Sequence, residues 1–179
     1  MEPGGRLPVS LPRAEADSPV LLAHPEAGDL VYAEGLLVGY RGFDRAGSEP
    51  LFAFGHGLGY TEWSYESIAP IAASIAGGED LDVTVSVRNT GTRTGREVVQ
   101  LYIEGPDDDR HRPIRVLAAF APVSADAGEE VAVRLTVPAR AFMRFDEGRR
   151  DWVSHRAAYT LRAGRSSRDL RLNTRVEVR

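Results

Sequence analysis

Apolar and polar residues alternate along most of the chain after about residue 67. Residues 81–88 read Leu-Asp-Val-Thr-Val-Ser-Val-Arg, so their apolar side chains fall on one face and their polar side chains on the other. A period of two is typical of a half-buried antiparallel strand. Asn-Thr-Gly at 89–91 supplies turn residues directly after it. The same alternation recurs in residues 98–103, 131–137 and 170–178.

Weaker alternating segments complete the pattern. They cover residues 68–75, 114–120, 141–145 and 158–162, which raises the number of predicted strands to about seven or eight, with turn signals between most of them. A helical period of 3.6 is nowhere sustained. This arrangement is typical of an all-β sandwich, and we expect one from about Ser67 to Arg179.

The chain before residue 67 shows no comparable period. Its first 30 residues are interrupted by prolines that break strands and helices. Residues 31–60 are rich in glycine and aromatic residues, a composition that suits loops packed against another part of a protein. We therefore expect an irregular N-terminal extension. The prolines are Pro3, Pro8, Pro12, Pro19 and Pro25.

The length, composition and net charge of the chain make nucleic acids and membranes poor candidate partners. A chain of 179 residues with 42% hydrophobic residues can bury a core. The net charge of −4 provides no global field that attracts nucleic acid or an anionic membrane, and no apolar run approaches the ~20 residues that span a bilayer. Residues 140–179 are locally basic, with 11 arginines against 5 acidic residues. Their alternation with apolar residues favours a solvated strand face over a polyanion site.

Two features bear on location and redox chemistry. Residues 1–6 lack the apolar segment of a signal peptide, which favours a cytoplasmic location. Cysteine is absent, which excludes disulfides, thiolate catalysis and Cys-ligated zinc.

Residues with chemical potential are scattered. The four histidines have no metal-binding spacing. Gly-His-Gly-Leu-Gly at 55–59 lacks the spacing of a dinucleotide site, and we interpret it as a tight loop in which His56 caps backbone groups. Three aspartates at 107–109 suggest a solvated loop rather than a calcium site. We assign no catalytic residue, no metal ligand and no cofactor.

Several long motifs, in order along the chain, resemble a known family. Residues 4–8 read Gly-Gly-Arg-Leu-Pro, residues 32–44 Tyr-Ala-Glu-Gly-Leu-Leu-Val-Gly-Tyr-Arg-Gly-Phe-Asp, and residues 49–61 Glu-Pro-Leu-Phe-Ala-Phe-Gly-His-Gly-Leu-Gly-Tyr-Thr. These segments resemble the end of the α/β sandwich domain of glycoside hydrolase family 3, the family of β-glucosidase-like enzymes. Residues 87–91 and 95–102 are similar to strands of its fibronectin type III-like domain, an immunoglobulin-like sandwich.

The resemblance implies a division of the chain. Residues 1–62 are expected to be the C-terminal remnant of the α/β sandwich domain plus a linker, and residues 63–179 the fibronectin type III-like sandwich. Retaining glycosidases use two carboxylates about 5 Å apart, and in this family both precede the segments that the chain matches. Glu34 and Asp44 are acidic residues within the matching segment, and we interpret them as loop and interface residues.

Two hypotheses follow for function. In the first, the chain is the C-terminal structural and interaction portion of a β-glucosidase-type hydrolase, and its partners are the missing barrel and α/β sandwich portions or a second copy. In the second, it is a free-standing module that binds carbohydrate or a protein through exposed aromatic residues such as Trp63, Tyr102 and Trp152. Apolar residues of the extension are expected to stay partly uncovered and to drive association, namely Leu36, Leu37, Val38, Phe43, Phe52 and Phe54.

Overall fold

The alternating segments form two sheets that pack face to face. A computed structural model describes residues 2–18 and 24–179; Met1 and residues 19–23, which include Pro19 of the proline-rich start, lie outside the described residues. The described elements are one α-helix, ten strands and two short 3-10 turns, Glu15–Asp17 and Ala139–Phe142. The helix and strands are α1 (Tyr40–Ala46), β1 (Trp63–Pro70), β2 (Ser74–Ile75), β3 (Leu81–Asn89), β4 (Gly95–Glu104), β5 (Arg115–Ala125), β6 (Glu130–Val137), β7 (Met143–Asp146), β8 (Asp151–Ser154), β9 (Ala158–Gly164) and β10 (Leu170–Val178).

One sheet has three strands and the other has five. The three-stranded sheet has the order β1-β3-β6 and is antiparallel. The five-stranded sheet has the order β2-β10-β9-β4-β5, in which only the short β2 runs parallel to its neighbour. Strands β7 and β8 form a separate hairpin. The structure thus confirms the predicted sandwich.

The core lies between the two sheets. Val83, Val85 and Val87 of β3 have no exposed surface, and they belong to one cluster with Leu101 of β4 and Leu161 of β9. Burial of an aliphatic side chain of this size contributes roughly 1.5–3 kcal/mol. The period-two pattern therefore specifies the sandwich because each alternate side chain is withdrawn from water.

Three local predictions were wrong. The strand expected at 68–75 is two strands in different sheets, because the chain crosses from one sheet to the other after Pro70. The strand expected at 141–145 begins as a 3-10 turn, Ala139–Phe142, before β7. Helix α1 lies in the glycine-rich segment expected to form loops. It was missed because a helix of seven residues is too short to show a helical period in the sequence.

The N-terminal extension packs as a layer beside the sandwich. Its first part pairs with its last part, since the Leu7 amide donates to the His56 carbonyl at 2.9 Å and the Leu11 amide to the Phe52 carbonyl at 2.9 Å. Helix α1 ends at Gly47, whose φ of 64° is the left-handed conformation common at helix C-termini. Among the described helices, none has the length and hydropathy needed to cross a membrane.

Candidate functional site

The interface between the extension and the five-stranded sheet holds most of the buried polar groups. On β4, Gln100 and Tyr102 alternate with core residues and are nonetheless buried. The Gln100 amide donates to the carbonyls of Gly55 at 3.0 Å and Arg165 at 2.5 Å, and the Tyr102 hydroxyl donates to Gln100 Oε1 at 2.7 Å. Burial raises the pKa of Tyr102. Strand β4 is therefore covered on both faces.

Asp44, at the C-terminal turn of α1, lies at the centre of a charged cluster. Its carboxylate has no exposed surface and forms ion pairs with Arg168 and, at 3.1 Å, with Arg115. Burial raises the pKa of Asp44, and the two guanidinium groups act in the opposite direction. Arg115 also lies 3.5 Å from Glu104, so the cluster connects α1 to strands β4 and β5.

Asp44 and Glu104 both lie near Arg115, so we compared them with the catalytic carboxylate pair of a glycosidase. Catalytic carboxylates must be reached by a sugar at the scissile bond. Asp44 has no exposed surface, and Arg162 holds Glu104 at 2.7 Å. The structure thus places Asp44 in an interface between elements, where it acts as a packing residue. Glu34 lies half-buried in the loop before α1.

Glu97 forms a second buried ion-pair site that the sequence analysis missed. Its side chain has no exposed surface and is bound by Arg6 at 2.5 Å and Arg165 at 2.7 Å. The amide of Val98 also donates to it at 2.7 Å. The available signal was an acidic residue next to the apolar run of β4, together with Arg6 in the motif Gly-Arg-Leu-Pro.

The glycine-rich loop contacts the sheet through its backbone. Gly55 has φ of 82°, and a side chain there would place its Cβ 2.0 Å from Gln100 Oε1. The His56 ring lies against Phe52 with centroids 5.4 Å apart, and the His56 amide donates to the Ala53 carbonyl at 3.0 Å. The loop therefore holds the extension against β4, in line with its interpretation as a tight loop.

Two of the three aspartates at 107–109 bind arginines, each from a different element. Asp107 pairs with Arg45 of α1 at 2.7 Å, and Asp108 accepts two hydrogen bonds from Arg144 of β7 at 2.8 and 2.9 Å. His155 lies 3.7 Å from Asp108. In residues 2–18 and 24–179, no group of three His, Asp or Glu residues is arranged to hold a metal ion.

The interpretation of three aromatic residues as an exposed binding surface was wrong for two of them. Trp63 begins β1 and faces the core with 3% exposure, and Tyr102 is covered by the extension. Trp152 alone of the three is exposed, at 39%, with the Arg140 guanidinium 3.5 Å from its ring centroid. The prediction failed for Trp63 and Tyr102 because alternation along β1 and β4 shows which side chains share a face. It does not show which segment packs on that face.

The basic C-terminal segment does not form a uniform positive face. Arg162, Arg165 and Arg168 bind carboxylates of β4 and the extension, and Arg171 binds Asp169. These four arginines therefore neutralise carboxylates within the chain.

The sequence of this chain is similar to a known domain family and to several β-glucosidases. Residues 97–167 match the family model of the fibronectin type III-like domain. The thermostable β-glucosidase B of Acetivibrio thermocellus is 37% identical over 99% of this chain, which covers 24% of that relative. A β-glucosidase of Rhizobium radiobacter is 34% identical over 99% of this chain, which covers 22% of that relative.

Solved structures show the same relation. The β-glucosidase DesR of Streptomyces venezuelae, determined in complex with D-glucose, matches 99% of this chain with a TM-score of 0.91 at 36% identity. A family 3 β-glucosidase of Bifidobacterium adolescentis matches 99% with a TM-score of 0.91 at 31% identity. This chain covers 23% and 26% of those two chains. It therefore spans about a quarter of the length of the proteins it matches.

Proposed function

Because this chain corresponds to the C-terminal region of family 3 β-glucosidases, including their fibronectin type III-like domain, we propose that it is the structural and interaction portion of a β-glucosidase-type glycoside hydrolase. The observation that carries the proposal is coverage, since 99% of this chain matches only 24% of a β-glucosidase. The catalytic carboxylates would come from the remaining three quarters of such an enzyme.

We further propose the domain division into residues 1–62 and 63–179. Strand β1 begins at Trp63, and every described strand of the sandwich follows it. Before it, the described residues of the extension form only α1, the 3-10 turn Glu15–Asp17 and isolated bridges such as Leu11 to Phe52. The extension thus has too little secondary structure for a core of its own, which supports its origin as the end of a neighbouring domain.

The proposed partner is the portion of the enzyme made of the barrel and the α/β sandwich. Several apolar residues of the extension are exposed, including Leu36 at 51%, Val38 at 44% and Phe52 at 40%. An open groove of about 410 Å³ also lies on the extension, lined in part by Val9, Val38 and Phe54. Monomeric proteins seldom leave large apolar patches uncovered, so this surface fits a partner that supplies the rest of the α/β domain.

Binding of carbohydrate by a free-standing module has less support. Of the three aromatic residues named for that role, Trp63, Tyr102 and Trp152, only Trp152 is exposed, and the Arg140 guanidinium already lies over its ring. Self-association through the exposed apolar residues is the expected behaviour of the chain when the proposed partner is absent.

Complementation in trans tests the proposal. The thermostable β-glucosidase B of Acetivibrio thermocellus would be expressed without the segment that this chain matches, and hydrolysis of an aryl β-glucoside would be measured with and without this chain. We expect neither part alone to hydrolyse the substrate and the mixture to do so. A variant with Leu36, Val38 and Phe52 changed to Ser should restore less activity, because these side chains form the proposed contact.

Two outcomes would contradict the proposal. One is the absence of both binding and restored activity with a well-folded truncated enzyme. The other is hydrolysis by this chain alone that disappears on mutation of Glu34 or Asp44, which would place catalytic groups in this chain.

A further inference from the structure

The turn between β9 and β10, residues 165–169, is buried to an unusual degree for a hairpin turn. Ser166 and Ser167 are 5% and 2% exposed. The Ser166 hydroxyl accepts hydrogen bonds from the amides of Arg168 at 3.2 Å and Asp169 at 2.9 Å, which fixes the turn from within. A short polar turn of this kind normally lies in water. The contacts that bury this turn therefore indicate that it has a structural role.

One side of the turn binds the extension. Arg168 forms an ion pair with Asp44 and donates a hydrogen bond to the Ser48 carbonyl at 2.9 Å. The Ser167 amide donates to the Phe54 carbonyl at 2.9 Å. These contacts reach both the end of α1 and the segment that follows it.

The other side of the turn binds the sandwich. Arg115 of β5 donates to the Ser167 carbonyl at 3.1 Å, and Gln100 of β4 donates to the Arg165 carbonyl. The Arg165 side chain pairs with Glu97 at 2.7 Å. The turn therefore lies between the two parts of the chain and bonds to each.

Two carboxylates bind the same arginine in different surroundings. Asp44 has no exposed surface, whereas Glu49, 3.2 Å from Arg168, has a side chain that is 68% exposed. Removing one partner of a buried ion pair leaves an uncompensated charge and is strongly destabilising. An exposed pair contributes little. The Asp44 pair should thus dominate the attachment of α1.

We propose that the turn at 165–169 is a latch, in which Arg168 and Asp44 act as positioning residues that fix residues 40–54 on the sandwich. In this arrangement the sandwich presents the extension to its partner in one conformation. Within the chain, the latch consists of the turn together with Arg115, Gln100 and Glu97. The segment that it binds runs from α1 to Phe54. The role in presentation rests on the proposed function, whereas the latch itself is a property of this chain alone.

Hydrogen exchange of the full chain tests the latch. The probes are the amides of Phe43, Gly47 and Ser48, which bond within and after α1, against the amides of β3 in the core. In Asp44→Asn we expect exchange at the probes to rise by at least about tenfold, with β3 unchanged. The matched control Glu49→Gln removes an exposed carboxylate from the same arginine and should leave the probes within about twofold.

The milder variant Arg168→Lys keeps the proposal testable if Asp44→Asn unfolds the whole chain. Lysine keeps the charge but cannot bind Asp44 and the Ser48 carbonyl with one planar group, so the probes alone should exchange faster. Equal acceleration at the probes and at β3 in this variant, or equal effects of Asp44→Asn and Glu49→Gln, would overturn the latch. Failed complementation in trans with normal exchange would instead contradict the proposed function and leave the latch standing.

Discussion

At the scale of single residues, the interface is held by buried polar groups that bind several partners each. Gln100 binds two carbonyls and a hydroxyl, and Glu97 binds two arginines and an amide. Such groups resist substitution because a buried donor or acceptor without a partner costs roughly 1–3 kcal/mol. Both residues also bind groups outside β4, namely the carbonyls of Gly55 and Arg165 for Gln100 and the side chains of Arg6 and Arg165 for Glu97, so each one fixes the position of a neighbouring segment.

Gly55 combines close contact with one of these groups and a backbone conformation that favours glycine. Its φ of 82° is strained for other residues, and an added Cβ would meet Gln100 Oε1 at 2.0 Å. We expect Gly55→Ala to lower the free energy of unfolding by roughly 1–3 kcal/mol or more. Gly128→Ala is the matched control, because Gly128 has φ of 78° and open space around its Cβ. Urea unfolding would measure both, and equal losses would show that the contact with Gln100 contributes nothing.

His155 should make stability depend on pH. Burial and the nearby Arg144 lower the pKa of His155, with Arg112 adding to this and Asp108 opposing it. The unfolded chain then binds a proton at a higher pH than the folded chain, so stability should fall as pH drops from about 6.5 towards the folded pKa. The thermal midpoint would be compared between pH 7 and pH 5 for the wild type and for His155→Gln, which can still bond the Tyr159 hydroxyl. An identical pH dependence in the two proteins would contradict this assignment.

At the scale of elements, β4 joins the two parts of the chain. One of its faces contributes Val99, Leu101 and Ile103 to the core, and the other carries Gln100 and Tyr102 beneath the extension. None of the described residues of the extension belongs to the core between the sheets, since its buried cluster begins at Trp63. The two layers on either side of β4 are therefore separable in principle.

Deletion of residues 1–60 tests this separation. We expect the remaining chain to keep a cooperative unfolding transition, because the residues of the core cluster all follow residue 60. The midpoint should be lower, since Tyr102 and Gln100 lose their cover. Circular dichroism during urea unfolding would follow the change. Loss of the transition would show that extension and sandwich form one cooperative core.

At the scale of the whole molecule, exposed apolar residues are distributed unevenly between the sandwich and the extension. The sandwich hides most of its apolar residues, whereas the extension exposes Val31 at 71%, Tyr32 at 69% and Leu36 at 51%. Of the six apolar residues expected to stay uncovered, Phe43 is buried, Leu37 and Phe54 are half-buried, and the other three are exposed. The uncovered residues therefore lie in the part of the chain that, in the proposed function, faces a partner.

Self-association follows from this surface if the proposed partner is absent. We expect the full chain to form dimers or larger species in sedimentation velocity, and a variant with Leu36, Val38 and Phe52 changed to Ser to sediment as a monomer. Phe43 is left intact because it is buried at 2% exposure and its loss would damage the fold. Ile71→Ser is the control, since Ile71 is 77% exposed and lies on the sandwich. A wild-type monomer that binds no dye for apolar surfaces would contradict the prediction.

The sequence by itself determined the sandwich and its relation to a family. Alternation in segments such as 81–88 is a local property, and it dictates which side chains share one face of a strand whatever the partner strand is. The motifs at 32–44 and 49–61 resemble family 3 β-glucosidases, and the comparisons confirm that resemblance. These inferences succeeded because each depended on consecutive residues.

Only the tertiary structure decided what covers each face. Period-two alternation gave Tyr102 an outward direction, and the extension then buried it. The pairing of Asp44 with Arg115 and Arg168 joins residues far apart in the chain, and the burial of Glu97 depends on Arg6 and Arg165 in the same way. No local pattern encodes such pairs, because the charge that compensates a buried carboxylate can come from any segment that the fold brings to it.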